Sequence, residues 1–152
     1  MSKTHLRRAA LAGLLLAGLS GAAFAAQPAA TGLGQAWPNA TDVSASPNWH
    51  AYVFVLGGVE YVQVNDHNGN VIGAVGAANG QFITLPIGVF AQMVTTPQQP
   101  AAVTTTAQPA AAPTTVYQDS AVQVTATTNT DGTVQLMAAA ACDPIQCNNR
   151  NQ

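Results

Sequence analysis

The fold is decided between residues 49 and 65, where the sequence reads WHAYVFVLGGVEYVQVN. Two runs of β-branched and aromatic residues, which suit a pleated strand, flank the pair Gly57-Gly58. Such a pair accepts the positive φ angles of a two-residue turn and predicts a β-hairpin. The register of this hairpin pairs Leu56–Val59, Phe54–Tyr61, Tyr52–Gln63 and His50–Asn65 on one face, and Val55–Glu60, Val53–Val62 and Ala51–Val64 on the other.

Further turn signals follow at Asn68-Gly69 and Asn79-Gly80, each between strand-like runs. We expect an antiparallel meander of four or five strands over residues 49–95, with Val89–Val94 as the last run. A two-residue turn at Asn68-Gly69 sets Val62 opposite Val75 and Val64 opposite Gly73. The face rich in valine is therefore the predicted core.

Residues 96–115 are rich in Pro, Thr, Ala and Gln, and they predict a semi-stiff linker. Residues 116–141 resume a strand-like pattern around Asp131-Gly132 and predict a C-terminal hairpin, which either completes the first sheet or stands apart from it. A two-residue turn there would mix apolar and threonine side chains on one face, so either the loop is longer or the register slips. The fold class is all-β.

The chain begins with a pattern typical of an export signal. Lys3, Arg7 and Arg8 precede an uncharged run at 9–19, and Ala23-Phe24-Ala25 supplies a cleavage site. We expect residues 1–25 to be a signal peptide, cut after Ala25, that directs the protein to a periplasm or outside the cell. The pair of arginines matches a twin-arginine signal only loosely, which favours the ordinary secretory route.

Two flanking segments carry little apolar sequence. Residues 26–48 are rich in Ala, Gly, Pro, Ser and Thr and predict an extended or disordered arm. Residues 142–152 form a tail in which Cys142 and Cys147 are spaced for a local disulfide in an oxidising compartment.

The charge balance excludes two classes of binding partner. After removal of the signal, one arginine against six acids gives a formal net charge of −5. Such a chain cannot neutralise phosphates, which excludes nucleic acid, and it is not attracted to an anionic membrane surface. After the signal the sequence contains no second long apolar run that would predict a membrane span. Protein and cell-envelope glycan remain as partners, and so does a second copy of the chain.

No catalytic signature, metal site or cofactor site is apparent. Ser44, Ser46 and Ser120 lie in no Gly-x-Ser-x-Gly context that would mark a nucleophile beside a histidine base. The segment DHNGN at 66–70 imitates the start of a calcium loop, but it lacks the required glycine and closing acid, so a turn is the better interpretation. We therefore expect a non-enzymatic protein.

The row of His50, Tyr52, Phe54 and Tyr61 on the second face of the hairpin is the candidate binding surface. The alternative is that the C-terminal hairpin buries this row in a two-sided core. The leading hypothesis is an exported, non-catalytic β module that binds a partner or a cell-envelope component. A self-associating structural surface protein is the alternative, since the strand edges carry no lysine, and a small hydrolase is less favoured.

Overall fold

The computed structural model describes residues 29–141, and this part of the chain forms eight strands in two four-stranded sheets. The all-β fold class is therefore confirmed. The predicted signal peptide at 1–25 and the predicted disulfide between Cys142 and Cys147 lie outside the described residues.

The first sheet is the predicted meander. It contains β1 (Trp49–Leu56), β2 (Val59–Asp66), β3 (Val71–Ala78) and β4 (Gln81–Leu85), antiparallel and in chain order. Every pairing predicted across Gly57-Gly58 is confirmed, as are Val62 opposite Val75 and Val64 opposite Gly73. A bulge after Val64 then places Asn65 opposite Val71, so the turn is wider than two residues.

The second sheet contains β5 (Val94–Thr95), β6 (Thr114–Gln118), β7 (Val122–Thr128) and β8 (Val134–Ala140), in the order β5-β8-β7-β6. The predicted C-terminal hairpin is thus a three-stranded unit, separate from the first sheet, and it begins inside the predicted linker. The expectation of a fifth meander strand at Val89–Val94 is wrong. Residues Ala91–Met93 form a 3-10 turn, and β5 pairs parallel with β8 instead.

The register between β7 and β8 explains the mixed pattern in the sequence. Val124 lies opposite Ala138 and Ala126 opposite Leu136, one residue away from the two-residue-turn alignment. The connecting loop is longer than that turn, and it is closed by a hydrogen bond from the Asn129 N–H to the Thr133 carbonyl. Because the side-chain period of a strand is two, this single shift brings the apolar residues of both strands onto one buried face. They are Val122, Val124, Ala126, Val134, Leu136 and Ala138.

The two sheets pack face to face around one core. The predicted valine face supplies Ala51, Val62, Val64 and Val75, which are buried in a cluster with side chains of the second sheet. Gly73 marks the closest approach, because a Cβ atom there would lie 2.8 Å from Cγ2 of Val94. The prediction that this face forms the core is confirmed.

Residues 29–48, predicted as an extended or disordered arm, are docked on the first sheet. Gln63 and Asn65 are fully buried on the outer face of β2, so their side-chain amides need partners. The arm supplies them. Gln63 accepts from the Gly34 N–H (2.6 Å) and donates to the Gln35 carbonyl (2.8 Å), while Asn65 donates to the Ala36 carbonyl (2.6 Å). Two buried amides in β2 thus hold the arm on the sheet.

Beyond this point the arm covers one side of the sandwich. The Val43 N–H donates to the Ala51 carbonyl at the edge of β1, at 2.9 Å. The Ala45 N–H donates to the Val116 carbonyl of β6, at 2.8 Å. The arm therefore bridges the edge strands of the two sheets.

The segment predicted as a linker protects another edge. Gln98 Oε1 accepts from the Phe82 N–H at 3.1 Å, and Gln99 Oε1 accepts from the Thr84 N–H at 2.8 Å. Both donors belong to β4, the outermost strand of the first sheet. An uncovered edge is a template for another strand. The glutamine side chains occupy N–H groups of this edge and so protect it, a role that lysine side chains have on many other edges.

Candidate functional site

The structure places the four predicted binding residues on the outer face of the first sheet, but most of the row is not accessible. Phe54 is 1% exposed and Tyr52 5% exposed, whereas His50 and Tyr61 are half-buried. The N-terminal arm covers the part of this face around Tyr52, since it is bonded to the neighbouring Gln63. Burial of the row was the alternative expectation, with the C-terminal hairpin as its cover. That hairpin packs on the opposite face.

The most exposed aromatic side chain at this face is Trp37, which lies in the segment predicted as an extended or disordered arm. Its side chain is 59% exposed, yet it is held from two sides. The indole lies directly on Gly69, where a Cβ atom would come within 2.5 Å of Trp37 Cε2. Its other neighbour is the His50 ring, in an edge-to-face contact with centroids 5.3 Å apart. The signal available in the sequence was a tryptophan inside a segment otherwise poor in large side chains.

His50 connects Trp37 to the sheet. Its ring stacks on Tyr52 with a centroid distance of 6.2 Å and an interplanar angle of 18°. Its Nδ1 lies 2.6 Å from Oδ2 of Asp42. We refer to Trp37, Asp42, His50 and Tyr52 as the Trp37 cluster.

Asp42 fixes the orientation of His50. Its Oδ1 accepts from the N–H groups of Ser44 (3.0 Å) and Ala51 (3.1 Å), which leaves Oδ2 for the imidazole. Partial burial raises the pKa of Asp42, but the hydrogen bonds from His50 and the backbone outweigh it and bring the pKa below its ordinary value. Asp42 is therefore a carboxylate near neutral pH, and it orients the histidine ring.

The turn beneath the indole adds further polar groups. Asp66 Oδ1 accepts from the N–H groups of Asn68 (2.9 Å) and Asn70 (2.8 Å), and Oδ2 accepts from Asn70 Nδ2. This is the Asx-type turn that the sequence favoured over a calcium loop, and both carboxylate oxygens are engaged in it. Within residues 29–141 no group of three or more His, Cys, Asp and Glu side chains is arranged to hold a metal. His67 is exposed on the same turn.

The cluster contains two of the three groups of a hydrolytic triad, so catalysis has to be weighed. In such a triad a hydroxyl or thiol is hydrogen-bonded to the second ring nitrogen of the histidine. In the described part of the chain, Asp42 is the hydrogen-bond partner of His50, and Ser46 is buried. The arrangement fits a preorganised binding surface, in which a fixed aromatic plane lies beside groups that donate and accept hydrogen bonds.

Comparison with protein families, with curated proteins and with solved structures gives no match to this chain. None of the helical turns in residues 29–141 is long and apolar enough to cross a membrane.

Proposed function

We propose that this protein is an exported, non-catalytic β module that binds an uncharged glycan of the cell envelope through the Trp37 cluster. The observation that carries the proposal is that Trp37 is largely exposed and at the same time fixed against Gly69 and His50. An accessible aromatic side chain held in one orientation beside polar groups is the kind of anchor that binding sites use. Because its orientation is already set, little conformational entropy is lost on binding.

A sugar ring fits the two kinds of surface that the cluster offers. The C–H face of a pyranose is apolar and packs on an aromatic plane, while its hydroxyls need donors and acceptors around the ring. The Asp42–His50 pair and the amides of the Asp66 turn supply such groups beside the indole. A purely apolar ligand would shield the remaining donors and acceptors of these groups from water without replacing it, which disfavours such a ligand.

The charge of the molecule favours an uncharged glycan. Residues 29–141 contain five acids and neither lysine nor arginine. A phosphate- or carboxylate-bearing polymer would be repelled by this field. The export signal predicted from the sequence supports a site of action in the cell envelope.

The covered strand edges argue for the binding module over the self-associating alternative. The arm lies on the edge of β1 and reaches β6, and Gln98 and Gln99 bond to the edge of β4. Growth by edge-to-edge pairing would require these segments to leave. A defined small mass is therefore expected in solution.

The proposal is tested by titrating the purified protein with neutral oligosaccharides, such as chito- and cello-hexaose, in a calorimeter. Trp37→Ala is expected to lower the affinity by about tenfold or more, since aromatic contacts contribute about 0.5–1.5 kcal/mol beyond the area they bury. Trp37→Phe should retain part of the affinity. The matched control is Met137→Ala, which truncates a side chain 51% exposed on β8.

Equal affinity in Trp37→Ala and the wild type would contradict the assigned site. If neutral oligosaccharides do not bind but a charged polymer does, the ligand class is wrong. A turnover that disappears in His50→Ala while the fold persists would replace the binding module by an enzyme.

A further inference from the structure

A second polar group lies at the other end of the sandwich and joins the two sheets. The Tyr117 hydroxyl at the end of β6 is 3.2 Å from Glu60 Oε1 on β2 and 3.2 Å from Asp119 Oδ2. Both carboxyl groups therefore contact the same hydroxyl. Tyr117 itself is 8% exposed. Glu60, Tyr117 and Asp119 form what we call the inter-sheet clasp.

The clasp lies beside a cleft that is lined by residues of both sheets. Val55 belongs to the core face of β1 by register, yet it is 68% exposed. A cavity of about 270 Å³ opens there, and its lining includes Val55, Glu60, Ala77, Phe82 and Val122. Glu60 is thus a wall of an apolar cleft and also a member of the clasp.

The three side chains of the clasp can stay together only if they share enough hydrogens for the hydrogen bonds between them. Asp119 Oδ1 accepts from the N–H groups of Ala121 (2.7 Å) and Val122 (2.6 Å), which stabilise its ionised form. With Glu60 protonated, the glutamic acid and the tyrosine hydroxyl supply two hydrogens to the three groups. With Glu60 ionised, only the hydroxyl hydrogen remains, and two carboxylates face each other across the sheets.

The surroundings offer no compensating charge. The neighbours of Glu60 on β1 and β3 are Val55 and Ala77, and β7 presents Val122, so the titratable groups facing Glu60 are those of the clasp. Residues 29–141 contain no lysine or arginine that could neutralise a second carboxylate. Because Glu60 and Asp119 are only half-buried, the repulsion that follows ionisation of Glu60 is relieved by separation of the two carboxylates or by entry of water.

We propose that Glu60, Tyr117 and Asp119 form a pH-sensitive clasp, closed in acid and released towards neutral pH, that controls how far the cleft between the two sheets opens. The device is built from residues of both sheets and lies away from the Trp37 cluster, so it stands independently of the proposed glycan site.

The directions of the pKa shifts agree with this geometry. Burial raises the pKa of Glu60, the charge of Asp119 raises it further, and the hydrogen bond from Tyr117 opposes the rise without cancelling it. Burial and the two carboxyl groups raise the pKa of Tyr117, so its hydroxyl stays protonated throughout. The pKa of Asp119 is lowered, because its backbone hydrogen bonds outweigh its burial. A raised pKa of Glu60 in the folded state means that its stabilising contribution is present below its ordinary value of 4.5 and is lost as pH rises through the folded-state pKa.

The test measures the titration and the opening separately. Carbon-13 NMR of the wild-type side-chain carboxyls is expected to show Glu60 titrating above its ordinary pKa. Hydrogen exchange, corrected for the intrinsic pH dependence, should show faster opening at residues 57–60 and 119–122 at pH 7.5 than at pH 4.5. Each unit by which the pKa of Glu60 is raised corresponds to a tenfold change in this opening.

Glu60→Gln keeps a donor and cannot ionise, so its corrected exchange in these segments should not change with pH. Asp131→Asn, at an exposed acid in the β7–β8 loop, is the matched control and should behave like the wild type. The proposal is overturned if Glu60 titrates at or below its ordinary value. It is also overturned if Glu60→Gln opens with the same pH dependence as the wild type.

Discussion

Replacing Gln63 by leucine should release the N-terminal arm while the sandwich remains folded. Gln63 is fully buried and makes three hydrogen bonds through its side chain, two of them to the arm backbone at Gly34 and Gln35 and one to Asn65. Leucine is similar in volume but can make none of these bonds. The buried polar groups on the arm would then be satisfied only if the arm leaves the sheet and meets water.

The structure sets the size of this effect. A hydrogen bond between uncharged groups contributes about 1 kcal/mol net, so three bonds put the loss near 3 kcal/mol. That corresponds to about two orders of magnitude in the population of molecules whose arm is undocked. The cost cannot greatly exceed the free energy of docking, because undocking relieves the unsatisfied groups.

Native-state hydrogen exchange measures this population. The informative amides are those of Val43 and Ala45, whose acceptors are the backbone carbonyls of Ala51 and Val116 and are untouched by the substitution. Both should exchange about a hundredfold faster in Gln63→Leu, whereas amides within β7 and β8 keep their protection. Gln123→Leu, on β7, removes only two long side-chain bonds of 3.3 and 3.4 Å and serves as the control.

Unchanged protection at Val43 and Ala45 would refute the claim that the buried amides hold the arm. A uniform loss of protection over all strands would show instead that arm and sandwich unfold as one unit. The first result would also show that the position of Trp37 does not depend on the buried amides of β2.

Three further outcomes are expected. Gly73→Ala should lower the free energy of unfolding in urea by about 1–3 kcal/mol, since its methyl group would meet Val94 at 2.8 Å in a packed core. Because the pKa of Asp42 is lowered, the stability that its carboxylate contributes is present above the ordinary pKa of 3.8 and is lost as pH falls through the folded-state pKa. Tryptophan fluorescence should therefore change below about pH 4 in the wild type and much less in Asp42→Asn. Light scattering after size-exclusion chromatography should give the wild type a constant mass over a hundredfold range of concentration. When Gln98 and Gln99 are both replaced by alanine, the mass should rise with concentration. A rising mass in the wild type would favour the self-associating alternative.

Local chemistry determined the first sheet. The pair Gly57-Gly58 fixes a two-residue turn, and the turn fixes which residues face each other, so a complete register followed from the sequence and is confirmed. The valine face was likewise identifiable as core, because the alternation of side chains along a strand is set by the backbone itself. Where the loop length was not encoded by a short turn motif, as between β7 and β8, the register could only be narrowed to alternatives.

The candidate site depended on contacts that no local pattern records. His50 and Tyr52 were identified from the sequence, but Trp37 and Asp42 reach them from the arm, through the buried amides of Gln63 and Asn65. In the sequence, Gln63 and Asn65 look like ordinary polar residues on the outer face of a strand. Their role appears only when another segment satisfies them.

The sequence by itself thus determined the all-β class, the meander with the register of its first hairpin, and the composition that argues against anionic partners. The tertiary structure decided that the arm is docked, that the aromatic row is largely covered while Trp37 is not, and that Glu60 meets Tyr117 and Asp119 across the sheets. The physical reason is how far apart along the chain the interacting residues lie. Turn geometry and strand alternation act between neighbours along the chain, whereas burial and the pairing of polar groups are settled only when distant segments pack together.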